Sequence, residues 1–128
     1  MWRNWSGLRP EVGRSILSAM NRQQQLDQFS LALHRSAIAK LRREPAMRAR
    51  SLETLHRWQK QAGLTRSEAL WSEWERLLVA DLDVIEQAAL ANSDHGQLLR
   101  SVSPLGGLVD QHERMALLQQ ARVEAASQ

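Results

Sequence analysis

Three prolines and six glycines are all that punctuate 128 residues of helix-forming sequence, and their positions constrain what the chain can build. Between them Ala, Leu, Arg, Gln and Glu dominate, residues that lose little freedom on entering a helix. β-Branched residues are scarce, tyrosine is absent and Phe29 is the single phenylalanine, so there is little material for a sheet. The expected fold class is all-α: a compact bundle of about six to seven helices around one long central helix.

The breakers divide the chain in order. Arg9-Pro10 opens a short first helix, with Pro10 in a first-turn position where its missing N–H costs nothing. Ile16, Leu17 and Met20 supply its apolar side. Asn21 followed by Gln24 reads as the cap of a second, long helix over about residues 22–43. There Leu26, Phe29, Leu33, Ala37 and Leu41 recur at spacings of three and four and make one stripe. Leu31 and Ile38 lie off that stripe, which predicts a helix contacted from two sides. Glu44-Pro45 stops it. A third helix over about residues 46–62 packs through Met47, Leu52, Leu55 and Trp58 and ends at Gly63 as a C′ glycine. Thr65-Arg66-Ser67-Glu68 reads as a capping box for a fourth helix carrying Leu70, Trp71, Trp74, Leu77 and Leu78. Asp81 caps a fifth, Asn92-Ser93-Asp94 breaks it, and a brief sixth reaches Arg100. Ser103-Pro104-Leu105-Gly106-Gly107 is the strongest loop signal. Asp110 with Glu113 starts the last helix, to about Ala125. The expected organisation is a single domain over residues 1–128, with 1–9 and 126–128 flexible.

Several chemistries lack their residues. A chain of this length buries roughly two thirds of its unfolded surface, so it needs no covalent or metal staple. The absence of cysteine removes disulfides, thiolate metal sites and cysteine nucleophiles, and fits a reducing compartment. Residues 1–7 hold no apolar run of signal-peptide length, and the cluster Leu77-Leu78-Val79-Ala80 is far short of a membrane span. A cytoplasmic protein with no membrane partner is expected. His34, His56, His95 and His112 are separated by 22, 39 and 17 residues, with no i, i+4 pair to hold zinc. Gly106-Gly107 lacks the lysine and hydroxyl residue of a phosphate loop. No Ser–His–acid arrangement stands out. The expectation is a protein that is not an enzyme and carries no cofactor.

Charge is distributed unevenly. Residues 1–66 hold thirteen basic and four acidic residues, a balance of +9, whereas residues 67–128 hold four basic and ten acidic, a balance of −6. Fifteen of the seventeen basic residues are arginine, whose planar fork suits carboxylate and phosphate partners. Lys40, Arg42, Arg43, Arg48 and Arg50 gather at the turn around Pro45 and form the candidate site for nucleic acid or a partner protein. Three readings of the split stand open: the halves pack and partly cancel, the basic half meets an anionic partner, or copies associate head to tail as a homo-oligomer.

The segment from Leu55 to Leu78 invites comparison with a helix-turn-helix, but its second helix carries Glu68, Glu73 and Glu75, which would repel phosphate. Trp71 and Trp74, at i and i+3, share a face with Leu78; they are read as core or as an exposed partner-binding anchor. Trp2 and Trp5 precede the first helix and either fold back or await a partner. The 101–108 loop is either a recognition element or a tight connection in which Leu105 and Leu108 plug the core.

The stretches Leu31-Ala32-Leu33-His34-Arg35 through Pro45, Leu55-His56-Arg57-Trp58, Glu73-Trp74-Glu75-Arg76-Leu77-Leu78 and Ser103-Pro104-Leu105-Gly106-Gly107-Leu108, then Glu113-Arg114, occur in a recognisable order. Over about residues 30–118 they resemble a group of small, poorly characterised α-helical bacterial proteins of mobile or toxin–antitoxin-type loci. The resemblance implies a non-enzymatic regulatory or neutralising protein of antitoxin type and carries no site residue with it. It would bind a toxin or defence protein, with nucleic acid as a further partner through the basic corner. Two alternatives are a phage or plasmid inhibitor of a host defence nuclease, using its acidic half as a nucleic-acid mimic, and a non-specific nucleic-acid binder.

Overall fold

The computed structural model describes the backbone of residues 2–63 and 65–126 and, within them, the side chains of 22–63, 65–124 and 126. It is all-α, with six α-helices and no strand among the described residues. They are α1 (Trp2–Arg43), α2 (Met47–Ala62), α3 (Glu68–Leu78), α4 (Leu82–Ala89), α5 (Asp94–Ser101) and α6 (Gln111–Ala126), with a 3-10 helix at Pro104–Leu108 before the last.

The largest departure from expectation lies at the start. One helix of 42 residues replaces the anticipated pair, running through both Pro10 and Asn21. An interior asparagine costs a helix only a fraction of a kcal/mol, roughly 0.6 relative to alanine. Ending the helix there would leave four N–H and four C=O groups in need of partners. Propagation therefore wins over the cap. The side chains of Trp2 and Trp5, the subject of the fold-back reading, lie outside the described residues.

The core forms on the second half of α1. Leu33, Ala37, Ile38 and Leu41 are buried and meet Leu55 of α2, Trp74 and Leu78 of α3, Ile85 and Ala89 of α4 and Leu99 of α5. Ile38, set off the expected stripe, is only 2% exposed, whereas Leu26 on the stripe is 57% exposed. The helix is indeed contacted from two sides, by α6 on one and by α4, α5 and the 3-10 helix on another.

The connections are built from the expected breakers with local adjustments. Gly63 adopts φ +65° with ψ −145°, a positive-φ conformation open to glycine that ends the helix without the αL cap. Thr65 does not form the full capping box: its hydroxyl accepts from Ser67 N at 3.3 Å, and Glu68 N goes to the Thr65 carbonyl. Ser93 caps α5 by accepting from Gly96 N, and Asp110 caps α6 by accepting from Glu113 N at 2.8 Å. The 101–108 loop is a core plug. Its 3-10 turn, capped by Ser103 on Leu105 N, drives Leu105 to 0% and Leu108 to 7% exposure.

Candidate partner-binding face

The basic corner divides once its side chains are placed. Lys40 Nζ lies 3.1 Å from Glu113 and donates to the Leu108 carbonyl at 3.0 Å, which ties α1 to α6. Glu113 also accepts from Ser36, and the Ser36 hydrogen bond followed by Lys40 holds its carboxyl below the usual range. Arg42 pairs with Asp83 at 3.1 Å and with Glu86 on α4. Arg48 donates to the carbonyls of Leu78 at 3.2 Å and Ala80 at 2.6 Å, capping the end of α3. Three of the five expected binding residues therefore have partners within the chain, Arg42 at the exposed surface with 45% of its side chain accessible. Arg43 and Arg50 are exposed and make no ion pair among the described residues.

Arg50 belongs to a wider basic face on α2. On α2, Ser51 and Leu55 face the core, so Arg50, Arg57 and Lys60 fall on the opposite side, at spacings of seven and three. All three are exposed and unpaired among the described residues, as are Arg43 just before α2 and Arg66 just after it. Arg50 and Lys60 stand about 15 Å apart along the helix axis, at 1.5 Å per residue. Glu53 lies between Arg50 and Arg57 and tempers the array without neutralising it. The i, i+7, i+10 spacing of Arg50, Arg57 and Lys60 is legible in the sequence. His56, on the flank of the same helix, turns towards α3 and meets Glu75 at 3.1 Å.

The tryptophans serve the interior. Trp74 has no exposed surface, donates to the Leu99 carbonyl at 2.8 Å and stacks on His34 with ring centroids 6.4 Å apart. Trp71 is half-buried, donates to the Val102 carbonyl at 3.2 Å and lies 6.2 Å from Trp58. Both indole N–H groups are thus used to pin the end of α5 against α3. An anchor must offer surface, and Trp74 offers none.

Two titratable side chains are buried in the same core, His34 against Trp74 and Arg100 at the end of α4. His34 is 2% exposed; one ring nitrogen contacts the Ser30 carbonyl at 2.7 Å, and Nε2 is buried with no partner. Burial pushes its pKa down, with the nearby Arg100 charge acting in the same direction. Arg100, 7% exposed, donates to the carbonyls of Ala89 at 3.0 Å and Ala91 at 2.9 Å and so closes the end of α4. Burial lowers its pKa, and Asp27 partly offsets that effect. Among the described residues no three His, Asp or Glu side chains come together as a metal site, and no helix is long and apolar enough to cross a membrane.

No protein-family model matches the sequence, and neither the curated proteins nor the solved structures compared with it give a match.

Proposed function

We propose that this chain is a non-enzymatic regulatory protein of antitoxin type that recognises an anionic partner through the outer face of α2. The observation that carries the reading is the sorting of its cations. Lys40, Arg42, Arg48 and Arg100 each have an acid or a helix-end carbonyl, whereas Arg43, Arg50, Arg57, Lys60 and Arg66 are exposed and unpaired among the described residues, three of them on one face of α2. Unneutralised like charges on one helix face repel, and an anionic partner relieves that repulsion while gaining bidentate arginine contacts. The α2 face takes the role that sequence reasoning gave to the corner at Pro45.

The nuclease-inhibitor alternative requires free acids to imitate a phosphate backbone. Between residues 67 and 94 four of the seven acids, Glu73, Glu75, Asp83 and Glu86, are already held by histidine or arginine, so the basic face is the better-supported surface.

The test is co-purification of the chain with the product of its neighbouring gene, repeated with R50E/R57E/K60E. Capture by the parent and loss in the triple variant supports the reading. Equal capture by both removes the α2 face from it, and a neighbour that is neither bound nor toxic removes the antitoxin assignment. Nucleic acid as the partner has its own signature, an affinity that falls steeply with salt.

A further inference from the structure

The outer face of α2 is distinguished as much by what it lacks as by its charge. The large apolar side chains that the fold leaves exposed among the described residues, Leu26, Val79, Val84, Leu98, Met115 and Val123, all lie off this helix. Trp58, the one tryptophan of α2, is half-buried with its ring centroid 6.2 Å from that of Trp71. The face itself presents Arg50, Glu53, Arg57 and Lys60, all exposed. Exposed apolar surface and unpaired positive charge are thus sorted onto different parts of the molecule.

That sorting discriminates between anionic partners. The centre of a protein–protein interface is depleted of charge and takes most of its energy from desolvated anchors, which this face does not offer. Single-stranded nucleic acid is held by aromatic side chains on which its bases stack, and the face presents none. The phosphate backbone of a duplex needs neither. Protein surfaces that meet it are polar and strongly positive. A duplex carries one negative charge per about 1.7 Å of its axis, so the roughly 15 Å between Arg50 and Lys60 spans about nine phosphates. The three long side chains therefore meet phosphate without a fixed register. Glu53, three residues from Arg50 and four from Arg57, leaves the four side chains a balance of +2.

We propose, resting on the assignment of α2 as the anionic-partner face, that the partner is double-stranded nucleic acid, held by its phosphates without regard to base sequence. Arg50 and Arg57 donate to phosphate oxygens through their planar forks, and Lys60 adds a point charge. Release of counterions from the duplex supplies the affinity. Glu53 limits that affinity by repelling the same phosphates, and it opposes entry of the helix into a groove. α2 therefore lies along the backbone and reads no base.

The test is fluorescence anisotropy of the full chain on two labelled DNA duplexes of unrelated sequence, over a range of salt. Three neutralised phosphates give a slope of about −2.7 in log affinity against log salt, a fall of roughly fortyfold between 50 and 200 mM. Both duplexes are expected to bind equally. R50Q/R57Q/K60Q is expected to lose about tenfold or more at the lower salt and most of the slope, and E53Q to tighten binding severalfold. R22Q/R35Q/R122Q removes the same net charge from exposed arginines of α1 and α6 and is expected to bind as the parent does. Circular dichroism checks that each variant keeps its helicity. No duplex binding by the parent, a strong preference for one duplex, or an equal loss in R22Q/R35Q/R122Q overturns the proposal. Displacement of the duplex by polyglutamate at equal charge concentration overturns it too and assigns the face to an acidic protein. A chain that holds no duplex, yet loses its neighbouring gene product on R50E/R57E/K60E, overturns the duplex alone and leaves the α2 reading in place. If neither partner responds to those charges, both fail.

Discussion

Arg48 and Arg100 differ from Arg50 and Arg57 in nothing but their surroundings. The first two point at the ends of α3 and α4, where two carbonyls each have lost their helical partners, and a guanidinium supplies the missing donors. The second two point outward from α2 and meet no acid among the described residues. In this fold an arginine is structural when a helix end faces it, and available when none does. Net charge does not distinguish the two classes, and neither does sequence position, since Arg48 and Arg50 are two residues apart.

The sharpest way to break this comparison is to remove Arg100. Its side chain is 7% exposed, and Ala89 and Ala91 have it as their capping donor. R100M keeps the stem and deletes the donors, leaving buried carbonyls unsatisfied. A loss on the order of 3 kcal/mol is expected by urea unfolding, because hydrogen bonds to charged groups contribute about 1.5–3 each. R48M, less buried, should lose about half as much. A variant at either position that unfolds at the parent's midpoint would place these arginines with the free ones.

Gly96 tests the same cap from the other side. A Cβ at this position would run into the carbonyl oxygen of Ala91, one of the two that Arg100 holds. The neighbour is backbone and has little room to yield. G96A should cost about 1–3 kcal/mol, the range for overpacking at a tight contact, despite alanine's better helix propensity. Unchanged or increased stability would show that the α4–α5 junction relaxes freely and that Arg100 is less firmly seated than its distances imply.

The element order was largely legible before any coordinate. Pro45, Gly63, the Asn92-Ser93-Asp94 break and the Asp110 cap act locally, within three or four residues, which is why they are legible in the sequence. Leu105 and Leu108 plug the core as one of the two readings of their loop required. The break at Asn21 failed because a cap residue is a helix start only if the preceding chain leaves the helix, and nothing there compels it to. The intramolecular partners of the basic residues were not legible, for a different reason. Arg42 finds its acids 41 and 44 residues away, and Lys40 finds Leu108 and Glu113 on other elements. Pairings across such separations are set by packing. The spacing of Arg50, Arg57 and Lys60 was open to inspection, but only burial shows that its face looks outward.

His34 extends the comparison to charge that appears with pH. In the unfolded chain its imidazole takes up a proton near the free value of about 6.5, whereas the buried ring stays neutral to lower pH. Below that value the unfolded state binds more protons, so stability falls with decreasing pH, by at most about 1.4 kcal/mol per unit for one group. The loss sits above the range where Asp110 and Glu113, both lowered in the fold, begin to protonate. Urea midpoints between pH 7 and 5 should decline in the parent and level off in H34Q. A parallel decline in H34Q would assign the effect to other groups.

The smallest expected effect is the one on which the comparison finally depends. R50Q/R57Q/K60Q removes three exposed charges that make no ion pair among the described residues, so its stability should match the parent's within about 0.5 kcal/mol. Arg57 and Lys60, at i and i+3, repel each other, whereas Glu53 attracts Arg50 and Arg57 at spacings of three and four, so the opposing terms keep the net change small. A loss above about 1 kcal/mol, larger than exposed pairs usually contribute, would mean that these side chains support the fold as Arg48 does. The α2 face would then be part of the scaffold, and the protein's free positive charge would have to be sought at Arg22 and Arg35 on α1, Arg76 on α3 and Arg122 on α6.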